Sequence, residues 1–216
     1  MLRKFFFISV GLLVFSCEQE KTGTFIKNIG EFNEAVKNVQ PGTVITLADG
    51  NWENVELRLK GTGEEGNPIK LQAQTPGKVI ISGQSNLAFS CEYIEVSGLV
   101  FKNGYTPTSE VISFKTGKDE LANNSRVTNC VIDNFTNPER FDSDTWVAIY
   151  GKNNQFDHNT MIGKGNQGVT LAVRMQTEAS RENIHIIEHN FFGPRQVLGS
   201  NGGETLRVGT RHYSRT

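Results

Sequence analysis

Cysteine is nearly missing from this chain. Past residue 17 only Cys91 and Cys130 remain, and their spacing matches no metal-binding pattern. Each sits in a strand-like apolar stretch, which reads as two buried free thiols. Helical periodicity is as rare. "EFNEAVKNV" (31–39) puts Phe32, Ala35, Val36 and Val39 on one face, and "QPGT" (40–43) ends that helix. No second helix follows. There is no surplus of positive charge: 22 Lys and Arg face 23 Asp and Glu, a net charge of −1, which excludes a general nucleic-acid binder. Neither G-x-x-x-x-G-K-[ST] nor H-E-x-x-H occurs. "GKGNQG" (163–168) fits G-x-G-x-x-G, but it runs into strand-like "VTLAVR", where a dinucleotide site needs a helix. His158, His185, His189 and His212 lack metal spacing. His158 and His189 fall at equivalent repeat positions, where stacking is the expected role.

Long apolar runs are missing too, except at the start. "MLRKFFFISVGLLVFSC" has Arg3 and Lys4, an apolar stretch from Phe5 to Phe15, and then Ser16-Cys17. It is too short for a stable membrane span and reads as a signal peptide at 1–17. "LVFSC" resembles a bacterial lipobox, so Cys17 is the expected lipidation site. Residues 18–24, "EQEKTGT", form a polar tether. Cleavage removes two positive charges and takes the net charge from −1 to −3. The expectation is an exported protein, lipid-anchored to the bacterial outer membrane and touching the membrane only through that anchor.

What is plentiful is glycine, 22 residues, together with asparagine. Both break the chain into short β-rich runs. "EVSGLVFKNG" (95–104), "RVTNCVIDNF" (126–135), "FDHNTMIGKG" (156–165) and "IEHNFFGPRQ" (187–196) recur. Aligning Gly98, Asn129, Asn159 and Asn190 gives steps of 31, 30 and 31, with Val100, Val131, Met161 and Phe192 in fixed phase. A constant period with an apolar residue in phase marks a stacked repeat, here one coil of a parallel β-helix. Stacked Asn129, Asn159 and Asn190 are expected to form an amide ladder. The fold expected for residues 25–216 is all-β, a parallel β-helix with a short N-terminal capping helix. "ETLRVG" reads as the first strand of a further coil, and the helix reads as unfinished after it.

Charge gathers near the end. From Arg174 onward there are six Arg, no Lys and four Glu, a local balance of +2. Arg is the side chain suited to bidentate carboxylate binding. "NGGETLRVG" (201–209) concentrates candidate chemistry: Asn201 and Glu204 supply oxygens that suit Ca²⁺, and Arg207 suits a carboxylate.

"IHIIEHNFFGPRQVLGSNGGETLRVGTRHYS" (184–214) resembles polysaccharide lyase family 6, which holds alginate lyases and chondroitinase B. "QPGTVITLADGNW" (40–52), "YIEVSGLVFKNGY" (93–105) and "NQGVTLAVR" (166–174) resemble the same family. The resemblance implies a right-handed β-helix and β-elimination of a uronate polysaccharide, with alginate the expected partner. It also implies a Ca²⁺ on the uronate carboxylate. By that resemblance Asn201 is a Ca²⁺ ligand, and Glu204 and Arg207 line the substrate cleft. The family's Glu-x-Glu, catalytic Lys and catalytic Arg are expected beyond Thr216. The Ca²⁺ is therefore not expected to be held by these residues alone, since it wants six to eight oxygens. The alternatives are a non-catalytic polyuronate-binding β-helix and a structural surface lipoprotein.

Overall fold

The structure is a computed structural model and describes residues 23–175, 182–195 and 203–209. Three parallel sheets wrap one core. The first sheet stacks β1 (Gly23–Ile26), β2 (Val44–Leu47), β5 (Ile69–Ala73), β8 (Ile94–Ser97), β12 (Arg126–Thr128), β15 (Gln155–Asp157) and β18 (Ile186–Glu188). The second runs β3 (Gly50–Glu53), β6 (Val79–Gln84), β9 (Leu99–Tyr105), β13 (Val131–Asp133), β16 (Thr160–Ile162) and β19 (Phe191–Phe192). The third holds β4 (Glu56–Thr62), β7 (Asn86–Glu92), β10 (Glu110–Ser113), β14 (Thr145–Ile149), β17 (Leu171–Val173) and β20 (Leu206–Val208), with the short β11 (Ala122–Asn123) beside β7. This is the parallel β-helix that the repeat predicted.

Each sheet contributes one inward column. Ile45, Leu71, Val96, Val127 and Phe156 stack in the first. Trp52, Ile81, Phe101, Ile132 and Met161 stack in the second. Leu57, Leu87, Ile112, Val147 and Leu171 stack in the third. All fifteen are buried in one continuous cluster. The columns end on half-buried Ile187 and Phe192 and on exposed Leu206.

The helix begins earlier than its apolar face suggested. α1 spans Ile29–Ala35, and a 3₁₀ turn continues it over Val36–Asn38. Asn28 caps it, accepting from the Glu31 N–H, while Glu31 accepts from the Lys27 N–H. That reciprocal box fixes the start two residues before Glu31. Phe32 is fully buried in the core. No described helix is long and apolar enough to cross a membrane. Cys130 is buried and free, its thiol pushed up to about 12 by burial. Cys91 is also free but only half-buried.

The coils step by 31, 29 and 31 residues, from Ser97 to Thr128, Asp157 and Glu188. This corrects the expected alignment by one residue. Asn129 stacks with His158 and His189, and all three take the left-handed conformation, at φ 53°, 55° and 53°. The slot of Asn159 and Asn190 is filled in the preceding coil by Cys130. Asn159 accepts from the Cys130 N–H, and Asn190 accepts from the Asn159 N–H and side-chain amide. The amide ladder therefore has two members, and Asn129 belongs to the turn beside it. In-phase Val100 and Val131 point outward, while Phe101 and Ile132 join Met161 inside. The two histidines stack as expected, with ring centroids 4.9 Å apart.

A second ladder runs along another corner. Ser125 accepts from the Ile94 N–H, Asn154 from the Ser125 N–H, and His185 Nδ1 from the Asn154 N–H. Burial lowers the His185 pKa to about 4. The unfolded chain takes up that proton near 6.5. Stability from neutral His185 is therefore complete above about pH 6.5 and lost as pH falls towards 4. In an NMR titration His185 should remain neutral at pH 5.5, and the melting temperature should fall between pH 6.5 and 4. A His185 that titrates near 6.5 would contradict this.

Candidate functional site

The third sheet carries the site. Thr170-Leu171-Ala172-Val173-Arg174 and Thr205-Leu206-Arg207-Val208-Gly209 lie on neighbouring coils, with Ala172 paired to Arg207. Alternation turns Leu and Val inward and leaves Ala172 and Arg207 on the outer face. Arg174 stands two residues on from Ala172. Both arginines therefore reach one cleft of about 220 Å³, walled by Ser109, Ser143, Asp144, Thr145, Gly168 and Val169.

Each arginine is held from the side. Arg174 Nη2 donates to Thr145 Oγ1 at 3.0 Å, and its buried Nε–H has no partner among the described residues. Arg207 Nη2 donates to Glu204 Oε1. Glu204 thereby orients Arg207. Its carbonyl accepts from the Thr170 N–H and from Arg195, which also grips the Asn166 and Gly168 carbonyls. Beside Arg174, Glu110 accepts from Tyr150 and Ser113, both at 2.5 Å. Burial first, and then the Glu110 carboxylate, push the Tyr150 pKa well up, against the pull of Arg174. Tyr150 is thus a fixed hydrogen-bond donor at neutral pH and not a base. Lys115 Nζ lies 4.0 Å from the Tyr150 ring centroid. The arrangement suits a carboxylate: two guanidinium groups, one with an unused N–H, in a half-enclosed polar cleft.

Glu204 and Arg207 are thus brought together, as an ion pair. Asn201 and Cys17 lie outside the described residues. No cluster of three or more His, Cys, Asp or Glu able to hold a metal occurs among the described residues. The one motif carboxylate, Glu204, is turned to Arg207. Arg174, Asp144, Tyr150 and Glu110 were not singled out from the sequence. For Arg174 the signal existed: "TLAVR" set over "TLRVG" places it beside Arg207.

A family model described as Chondroitinase B matches residues 26–216. The chain belongs to that family. Family 6 of the polysaccharide lyases also supplies the solved structures it resembles. The alginate lyase AlyGC is 55% identical, with a TM-score of 0.86, over 88% of this chain and 26% of that one. A mannuronic acid-specific family 6 lyase from human gut microbiota is 32% identical, with a TM-score of 0.81, over 87% of this chain and 44% of that one. A family 6 alginate lyase solved with a trisaccharide shares the fold at 18% identity and a TM-score of 0.68, covering 86% of this chain and 41% of that one. No curated protein matches. The chain spans about a quarter of AlyGC and under half of the other two lyases.

Proposed function

We propose that this chain forms part of the polyuronate-binding cleft of an exported alginate lyase, with Arg174 and Arg207 holding a uronate carboxylate. The observation that carries this reading is the pair of arginines on adjacent coils, one with a buried N–H that has no partner among the described residues, within a family of uronate lyases. In such a reaction a base takes the C5 proton of the uronate. The electron pair forms the C4–C5 double bond, and the C4–O bond breaks, its oxygen leaving with a proton from an acid. Calcium, when bound, neutralises the carboxylate and so makes that C5 proton more acidic. The base, the acid and most of the calcium shell are assigned to sequence outside these 216 residues, with Asn201 as the ligand present here. Cys17 is assigned as the lipid anchor.

The test is calorimetric titration of the full chain with alginate oligosaccharides, alongside absorbance of the unsaturated product. Arg174→Ala and Arg207→Ala should each weaken binding by about ten- to hundred-fold, since a charge-assisted hydrogen bond contributes about 1.5–3 kcal/mol. Binding that survives both substitutions would sink the assignment. Binding without product would favour the non-catalytic module, and calcium-dependent product would put the base and acid on this chain.

A further inference from the structure

Under the cleft lies a cation that the site as described does not use. Lys164 is 1% exposed. Its ammonium donates to Asp144 Oδ1 and to Asn166 Oδ1, the latter at 2.9 Å. Asn166 Nδ2 returns to the other Asp144 oxygen at 2.8 Å and to the Asp142 carbonyl at 2.7 Å. Thr136 donates to Asn166 Oδ1 and accepts from the Gly165 and Asn166 N–H groups. This cluster ties the 163–168 turn to the strand entry at 142–145. Asp144 of this cluster lines the cleft together with its neighbour Thr145 and with Gly168, and Thr145 holds Arg174.

A buried lysine is costly unless something needs it there. A well-packed apolar pair would close the same space with comparable or better stability. Lys164 also sits near a second cation, Arg195, which pins the 166–170 segment and Glu204 from the next coil. The charged groups facing Lys164 are Asp144 and Arg195, with Glu204 behind Arg195. Lys164 offsets the buried Asp144 and Glu204 offsets the half-buried Arg195, so loss of the Lys164 proton would leave a net negative charge behind the cleft, where the low dielectric strengthens repulsion of an anion.

We propose that Lys164 is a positioning residue for the anion cleft: through Asp144 and Asn166 it holds the wall that seats Arg174, and its buried charge offsets Asp144, which would otherwise repel a polyuronate carboxylate. The proposal rests on the polyuronate reading of the cleft. It follows that binding depends on Lys164 keeping its proton. Burial lowers its pKa to about 8, with Arg195 pulling the same way and Asp144 opposing. As pH rises through 8 the cation is lost and Asp144 loses its charged partner. Uronate carboxylates and arginines do not titrate between pH 7 and 9.

The experiment measures alginate-oligosaccharide affinity of the full chain at pH 7, 8 and 9. A Trp52→Phe background leaves Trp146 as the single reporter, its ring centroid 5.4 Å from Lys164 Nζ. The unaltered chain should lose about tenfold in affinity from pH 7 to 9, with Trp146 emission shifting at the same midpoint. The paired variant Lys164→Met/Asp144→Asn, which leaves no buried charge unpaired, should bind about tenfold more weakly at pH 7 and show no pH dependence. Wild-type affinity at pH 7 in that variant, or a flat wild-type profile, overturns the proposal. If the variant does not fold, the wild-type profile and the Trp146 midpoint decide. No oligosaccharide binding by the unaltered chain at pH 7 sinks the polyuronate reading and this inference together; binding indifferent to pH sinks this inference alone.

Discussion

Gly168→Ala should destabilise the chain by roughly 3–5 kcal/mol, or prevent folding. A Cβ at that position would sit 1.7 Å from the Asp144 carbonyl oxygen and 2.7 Å from its carbon. Those are backbone atoms, so no rotamer change relieves the clash. Gly168 also has φ +111°, where an L side chain is strained whatever the space. Strain and overpacking each cost about 1–3 kcal/mol. Relief requires moving the Asp144 strand entry away from Gly168, which breaks the Asp144 N–H bond to the Gln167 carbonyl and opens the cleft wall. Denaturant unfolding is the direct measurement. A loss under 1 kcal/mol would mean that the wall yields easily and does not set the cleft. Gly66→Ala is the control, since nothing lies within 4 Å of its Cβ while φ is +76°; it reports backbone strain alone.

Asn154→Ala should cost roughly 3–5 kcal/mol. Asn154 is fully buried, and its side chain makes three bonds: it accepts from the Ser125 N–H and donates to the Ala122 and Tyr150 carbonyls at 2.7 Å each. Alanine leaves one buried donor and two acceptors unpaired, each worth about 1–3 kcal/mol where water cannot enter. Asn154→Asp keeps the shape but sets a carboxylate against two carbonyls, and should be no better. The amide of Ser125 should lose hydrogen-exchange protection in Asn154→Ala, whereas Asn154→Asp retains an acceptor for it. Unchanged protection in Asn154→Ala would show that the Ser125 N–H has another acceptor.

The coils were legible because each spends about 30 residues and returns an apolar side chain to the same column. Register was less legible. Asparagine does two jobs here: Asn129 supplies a left-handed turn, while Asn159 and Asn190 supply hydrogen bonds one residue further on. Letter matching joined them, and the 29-residue step from Thr128 to Asp157 separates them. The site was read through its motif, so Arg207 was found. Arg174 was passed over, because its partner Thr145 is 29 residues away. Lys164 was not read as part of the cleft, since nothing local announces Asp144, 20 residues earlier, as its partner. Pairs set by stacking are visible in sequence only after the register is known.

The stacking also sets how the molecule bears load. Strand pairing joins each coil to the coils directly before and after it. Among the described residues no strand fastens distant coils together, so under an axial pull they should peel one winding at a time. Each winding holds about 30 residues and would release on the order of 100 Å of extended chain. The force trace should be a regular sawtooth, with its tallest teeth where the asparagine rows cross the coils.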